Sequence, residues 1–250
     1  MNSFDKAINQ PIPKVWTSEI YRGIKAAVPV LLGFIPFGLV LGAQAAQKGL
    51  SALELPLMTA LNFGGGSEFA AVELWTSPPH MFLIALMTLL INSRHILMGA
   101  ALAPYVSHLP KRSILPALFF MCDESWAITM EDITKRERQT NLANHAFSLP
   151  FYAGVAGTLY LTWIISTATG VQIGPSLGDI RTLGFDMAFP AVFFVLLRGM
   201  WPGIKAAYPW LVSLVVAVTV YLLIPGAWYV PVGSLAGVLA AYFLAEEKAS

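Results

Sequence analysis

Charge is scarce in this chain. Asp, Glu, Lys and Arg make up only 12% of its 250 residues, against about 25% in a typical soluble domain. The net charge of +1 leaves no electrostatic footprint for a nucleic-acid partner. Cys122 is the single cysteine, which excludes an internal disulfide framework and a multi-cysteine metal site; it reads as a small buried apolar residue. His80, His95, His108 and His145 are scattered without metal-ligand spacing. No strand-linked GxGxxG or P-loop lysine is present, and no Gly-x-Ser-Gly arrangement accompanies Ser67 and His95. Metal sites, cofactors, direct use of ATP and serine-nucleophile catalysis are therefore not expected, and the chain does not read as an enzyme.

Hydrophobic residues fill the space that charge leaves, at 56% of the chain. They come in continuous runs of about 20 residues, the length that spans a bilayer as a helix. Membrane β-strands would be about ten residues long with alternating polarity, so a barrel is rejected. Backbone groups in lipid must be satisfied within the segment, which dictates helices. The fold class predicted is all-α: a polytopic helical membrane protein of seven or eight hydrophobic segments, at least one of them discontinuous. The runs begin near Ala26, Leu53, Met81, Ile114, Phe147, Leu183, Ala206 and Val230. Residues 1–25 read as a polar N-terminal segment without a cleavable leader, and 26–246 as a single transmembrane domain. Trp16, Ile20, Tyr21 and Ile24 could line one face of a short interfacial helix before the first span. Glu131–Arg138 reads as a charged loop, and Gly170–Gly178 as a Gly/Pro/Ser loop.

Loop charge orients such a chain. With a cytoplasmic N-terminus and eight spans, Lys6, Lys14, Arg22, Lys25, Lys135, Arg136, Arg138, Arg198, Lys205 and Lys248 lie inside, and Lys48, Lys111, Arg112 and Arg181 outside. That asymmetry predicts an N-terminus in the cytoplasm. Gly38 with Gly42, Gly154 with Gly157 and Gly233 with Gly237 stand at spacings that let helices approach closely.

The remaining charges inside these runs are the candidate functional residues, because a charge at the bilayer centre costs at least about 2.5–3.5 kcal/mol and usually faces a bundle interior or a solute path. In the second run, Asn62, Gly64, Gly65, Gly66, Ser67 and Glu68 form the strongest constellation. Three consecutive glycines cost a helix about 1 kcal/mol each relative to alanine, so a break is expected within Gly64–Ser67. The freed amides and carbonyls there are candidate solute ligands, and Glu68 is a candidate proton-coupling group. Asn92, Arg94 and His95 form the second constellation. An intramembrane arginine needs a carboxylate partner, and Asp123 and Glu124 are the candidates; His95 carries an imidazole that could relay protons. Asp186, just ahead of Phe189-Pro190, is the last. Each of these charges has a plain structural alternative as a paired or hydrogen-bonded residue.

Taken in order, Pro36-Phe37-Gly38 with Gly42, Gly49-Leu50-Ser51, Gly65-Gly66-Ser67-Glu68-Phe69, Asn92-Ser93-Arg94-His95 and Asp123-Glu124 resemble the AzlC family of branched-chain amino acid exporters over about residues 25–245. Family members usually carry glutamine, preceded by Gly-Ala, where Glu68 stands here. The resemblance implies the large subunit of an inner-membrane permease that exports valine, leucine, isoleucine or similar amino acids, together with a small, separately encoded AzlD-type partner. A secondary transporter driven by proton-motive force is the reading that fits. A passive channel and a non-transporting scaffold subunit remain open, as does a homo-oligomer.

Overall fold

The computed structural model describes residues 14–140, 146–177, 207–225 and 228–247. All regular structure among them is helical. Three stretches are long and apolar enough to cross a membrane, namely Trp16–Gln47, Met81–Val106 and Leu149–Ser176, and Tyr208–Leu223 and Pro231–Phe243 are shorter apolar helices. The chain is thus a polytopic, all-α membrane protein with discontinuous helices and at least three long apolar spans. The expected sixth segment, with Asp186, lies outside the described residues.

Two compact units are distinguishable: Met1–Gly65 with Arg94–Ser176, and Gly66–Ser93 with Leu177–Ser250. The first contains α1 (Lys14–Gln47), α2 (Glu54–Asn62), α5 (Arg94–Val106), α6 (Lys111–Phe119), α7 (Asp123–Thr140) and α8 (Leu149–Ile173). Pro29 and Pro36 lie inside α1 without ending it. Trp16, Ile20, Tyr21 and Ile24 accordingly belong to the same helix as the first span, not to a separate interfacial one. α1 stops at a left-handed glycine. Gly49 has φ 87°, its amide donates to the Ala46 carbonyl, and the Leu50 amide reaches back to Ala45. This pair of bonds satisfies the last carbonyls of a helix. Two residues later Ser51 and Glu54 exchange bonds, Ser51 N–H to Glu54 Oε2 (2.7 Å) and Glu54 N–H to Ser51 Oγ (3.2 Å). A reciprocal S-x-x-E pair of this kind starts a helix, here α2.

The frame of this unit is α1 packed along α8. Their approach is set by small residues. A Cβ on Gly42 would come within 2.6 Å of Gly170 Cα, and one on Gly170 within 2.9 Å of Gly42 Cα. This contact corrects the expected loop at Gly170–Gly178. α8 continues through Gly170 to Ile173 and passes into a 3₁₀ turn, Gly174–Leu177, because tertiary contact overrides glycine's weak helix propensity. Gly157, by contrast, meets nothing within 4 Å. Gly42→Leu is expected to drive α1 and α8 apart, since both neighbouring atoms are backbone and cannot turn aside. Overpacking of this kind costs about 1–3 kcal/mol or more, to be read as loss of monodisperse protein after detergent extraction and a lower Tm.

α5, α6 and α7 pack against the α8 side of this frame. Leu102, Val106, Ala117, Met121, Ile133, Phe147, Tyr152 and Ala156 form their shared core. Tyr152 donates to the Ala117 carbonyl (2.5 Å) and Trp126 Nε1 to the Met98 carbonyl (3.2 Å). At one end of the unit, charges cross-link three helices. Arg22 of α1 binds Glu19 and reaches Asp132 of α7 (3.0 Å) while lying 3.9 Å over the Phe151 ring. Arg136 binds the same Asp132 (2.9 Å) and also Glu19. Ser148, the N-cap of α8, donates to Glu19 (2.7 Å). Glu131–Arg138, read from sequence as a loop, is therefore the second half of α7. The spacing of Asp132 with Arg136, and of Glu131 with Lys135 (2.6 Å), favours that helix.

The second unit contains α3 (Gly66–Glu73), α4 (Met81–Asn92), α9 (Tyr208–Leu223) and α10 (Tyr229–Glu247). α3 packs on α4, and α10 on α9 and α4. Gly233 and Gly237 seat α10 against Ser213 and Ala217 of α9. Leu211, Leu214, Val215, Val218 and Leu222 of α9 stay exposed, the surface expected of a helix whose solvent is lipid.

Candidate functional site

The second hydrophobic run is interrupted where the glycines predict. α2 ends at Asn62, and Phe63 takes a left-handed conformation (φ 46°, ψ 42°) while its amide caps back to the Thr59 carbonyl (3.1 Å). Gly65 is also left-handed, with φ 55°, and α3 begins at Gly66. A second interruption was not foreseen. The fourth run, read as one helix, stops at Phe119 and restarts at Asp123. Pro116 lies inside α6 and brings no amide to it. Beyond it the Met121 amide reaches back only three residues, to the Leu118 carbonyl (3.3 Å), and Cys122 N–H donates to Ser125 Oγ (2.9 Å). Asp123 and Glu124 then fill the first turn of α7, where negative charge suits the helix dipole. The third run carries a tighter turn at Ser93, whose amide and hydroxyl both donate to the Leu90 carbonyl.

Arg94 ties two of these interruptions together. Its Nη2 donates to the Gly64 carbonyl (3.0 Å) and lies 3.2 Å from Asp123 Oδ2. The arginine and one of its two candidate carboxylates, which the sequence could only nominate, are thus brought into contact. Gly64 lies just past the end of α2, where its carbonyl accepts from Arg94. Arg94 and Asp123 each keep 31% of their side-chain surface exposed, so the pair is reachable. The Arg94 Nε hydrogen, though buried, has no acceptor among the described residues. One knot therefore offers a guanidinium with a spare donor beside a carboxylate, the complement of a small zwitterion.

The other candidates divide between the units. Asn62, Gly64, Gly65, His95 and Glu124 belong with Arg94 and Asp123 to the first, while Gly66, Ser67, Glu68 and Asn92 belong to the second. Glu68 is fully buried on α3, with 0% exposure. Asn92 and His95 are half-buried. Asp186 lies outside the described residues. Beside the Arg94 knot stands an aromatic group the sequence reading did not single out: Phe63, Phe119, Phe120 and Tyr160. Aromatic residues are common in apolar runs, and nothing in the spacing of Tyr160 shows which way it faces. The Glu19–Arg22–Asp132–Arg136 network was likewise missed, although charges three and four apart were there to be read.

These features define a class before a family: a polytopic helical membrane protein whose helices are interrupted beside an arginine–aspartate ion pair. The AzlC protein family matches residues 29–177, more than half of the sequence, and the chain belongs to that family, one of membrane transport proteins and not of enzymes. It is 26% identical over 260 residues to the branched-chain amino acid transport protein AzlC of Bacillus subtilis, covering 100% of this chain and 98% of that protein. It is 22% identical over 232 residues to the inner membrane protein YgaZ of Escherichia coli, covering 92% and 90%. An uncharacterized membrane protein of Haemophilus influenzae is 26% identical over 213 residues, covering 85% and 83%. No solved structure matches the chain.

Proposed function

We propose that this protein exports branched-chain or similar small amino acids by proton-driven secondary transport, as the large subunit of a two-component permease with a small AzlD-type membrane partner. The observation that carries the reading is the Arg94 knot. A solute carboxylate would take the guanidinium, and its ammonium group would take Asp123. Both ends of a zwitterion are satisfied without a metal or a cofactor. The near full-length likeness to a protein named for branched-chain amino acid transport supports the substrate class. In this reading residues 26–246 act as one transporter domain of seven or eight crossing segments, in the inner or plasma membrane, with the N-terminus cytoplasmic. Glu68, desolvated on α3, is the group that takes up and releases the coupling proton.

The test is an efflux panel. Cells loaded with dipeptides of valine, leucine, isoleucine, alanine or glycine are followed for release of the free amino acid, with the chain alone and with a co-expressed small partner. Concentrative release of branched-chain residues that collapses on adding a protonophore is expected. Release that only equilibrates the two sides would indicate a channel, and release no faster than in vector-only cells would reject transport.

A further inference from the structure

The transport reading leaves the solute's side chain without a receptor, because every atom of the Arg94 knot is polar. Two chain segments leave that knot, and each leads at once to an aromatic ring. Phe63 directly precedes Gly64, and Phe120 stands three residues before Asp123, which confines its Cα to within about 11 Å of that of Asp123. The two rings meet on a third. Phe63 and Phe120 stand edge-on to Tyr160, with centroids 5.1 and 4.8 Å away and interplanar angles of 82° and 86°. Tyr160 is itself fixed, its hydroxyl donating to the Ala60 carbonyl (2.9 Å) in the last turn of α2. The ring that joins the two interruptions is thereby locked to the helix that ends in the first.

Phe63 carries the argument further. It is a bulky residue at positive φ, a conformation that glycine adopts freely and other residues adopt at about 1–2 kcal/mol. Gly64 and Gly65 follow immediately, so a chain needing only a turn has cheaper positions for it. The ring is nevertheless placed there and is almost completely buried, at 2% exposure. Backbone strain of this kind, here next to the carbonyl that Arg94 holds, clusters at ligand sites.

Resting on the transport reading above, we infer that Phe120 and Tyr160, held in place by the buried Phe63 ring, form the apolar wall that receives the side chain of the transported amino acid and sets its size limit, while Arg94 and Asp123 hold the common backbone charges. The ligand chemistry is a zwitterion with a short aliphatic side chain. The two wall rings are specificity determinants, and their removal should alter which solute moves more than whether solutes move.

The experiment measures efflux of alanine, valine, leucine and phenylalanine from cells expressing the full chain with its small partner, as ratios to valine at matched membrane levels. Phe120→Ala is expected to raise the phenylalanine-to-valine ratio about tenfold, the scale on which hydrophobic pockets discriminate a few carbon atoms. Tyr160→Phe, which keeps the ring and loses only the tether to Ala60, should move the same ratio in the same direction by about threefold. If Phe120→Ala does not reach the membrane, Phe120→Leu is read in its place, with a shift expected for leucine. Variants whose flux falls equally for all four solutes, with ratios kept within about twofold, would show that the rings only pack and would overturn the inference. A wild-type chain that moves none of the four faster than vector-only cells would instead overturn the transport reading itself.

Discussion

Asp123→Ala should lower the amount of folded protein in the membrane and abolish amino-acid efflux, whereas Asp123→Ala combined with Arg94→Met should restore the first and not the second. Removing one partner leaves the other charge uncompensated, which costs about 3–5 kcal/mol when the pair is fully buried, while replacing both with apolar groups is often neutral. Arg94 and Asp123 keep 31% of their side-chain surface each, so a smaller penalty of about 1–3 kcal/mol is appropriate. The double variant loses the groups that would hold a zwitterion and should be stable but inactive. Thermal stability in detergent and efflux, measured on the same four proteins, complete the cycle. A double variant that transports at the wild-type rate would mean that the pair only supports the fold.

Glu68→Gln should express normally yet flatten the pH dependence of efflux. Glu68 has no exposed surface, and the protonation of such a carboxyl follows its surroundings, which is the property a coupling group needs. Glutamine keeps the shape and removes the titration. Proton movement accompanying valine efflux, followed with a pH-sensitive dye in proteoliposomes, should fall by about tenfold or more, the scale on which removal of a proton-transfer group is felt. A variant with unchanged proton coupling and unchanged pH profile would assign Glu68 a purely structural hydrogen-bonding role and leave the transport reading standing.

What could be read from sequence was governed by the range of the signal. The interruption at Phe63–Gly65 was legible because three consecutive glycines act locally. The small-residue spacing at Gly38 and Gly42 was legible for the same reason, although not which helix they meet; Ser166, Thr167 and Gly170 of α8 are revealed only by packing. The second interruption was signposted by Pro116 and by two acids followed by serine, but a continuous apolar run concealed it. The charged stretch after Met130 looked like a loop because its polarity outweighed its helical charge spacing. Tyr160 could not be found at all, since its importance lies in contacts with residues about 40 and 100 positions earlier, and one apolar run does not encode its orientation toward another.

The pairing of α1 with α8 also has a consequence in time. These helices are separated by about a hundred residues of chain, and synthesis proceeds at about 5–20 residues per second. α1 must therefore wait in the bilayer for roughly 5–20 s before its partner emerges. During that interval Gly23, Gly38 and Gly42, which later face α8, are covered only by lipid tails, which neither hold nor repel them. A defect at this seam should accordingly leave insertion untouched and appear late. Gly42→Leu chains should reach the membrane at the normal rate and then be degraded, so that pulse-chase labelling shows equal synthesis and a shortened lifetime.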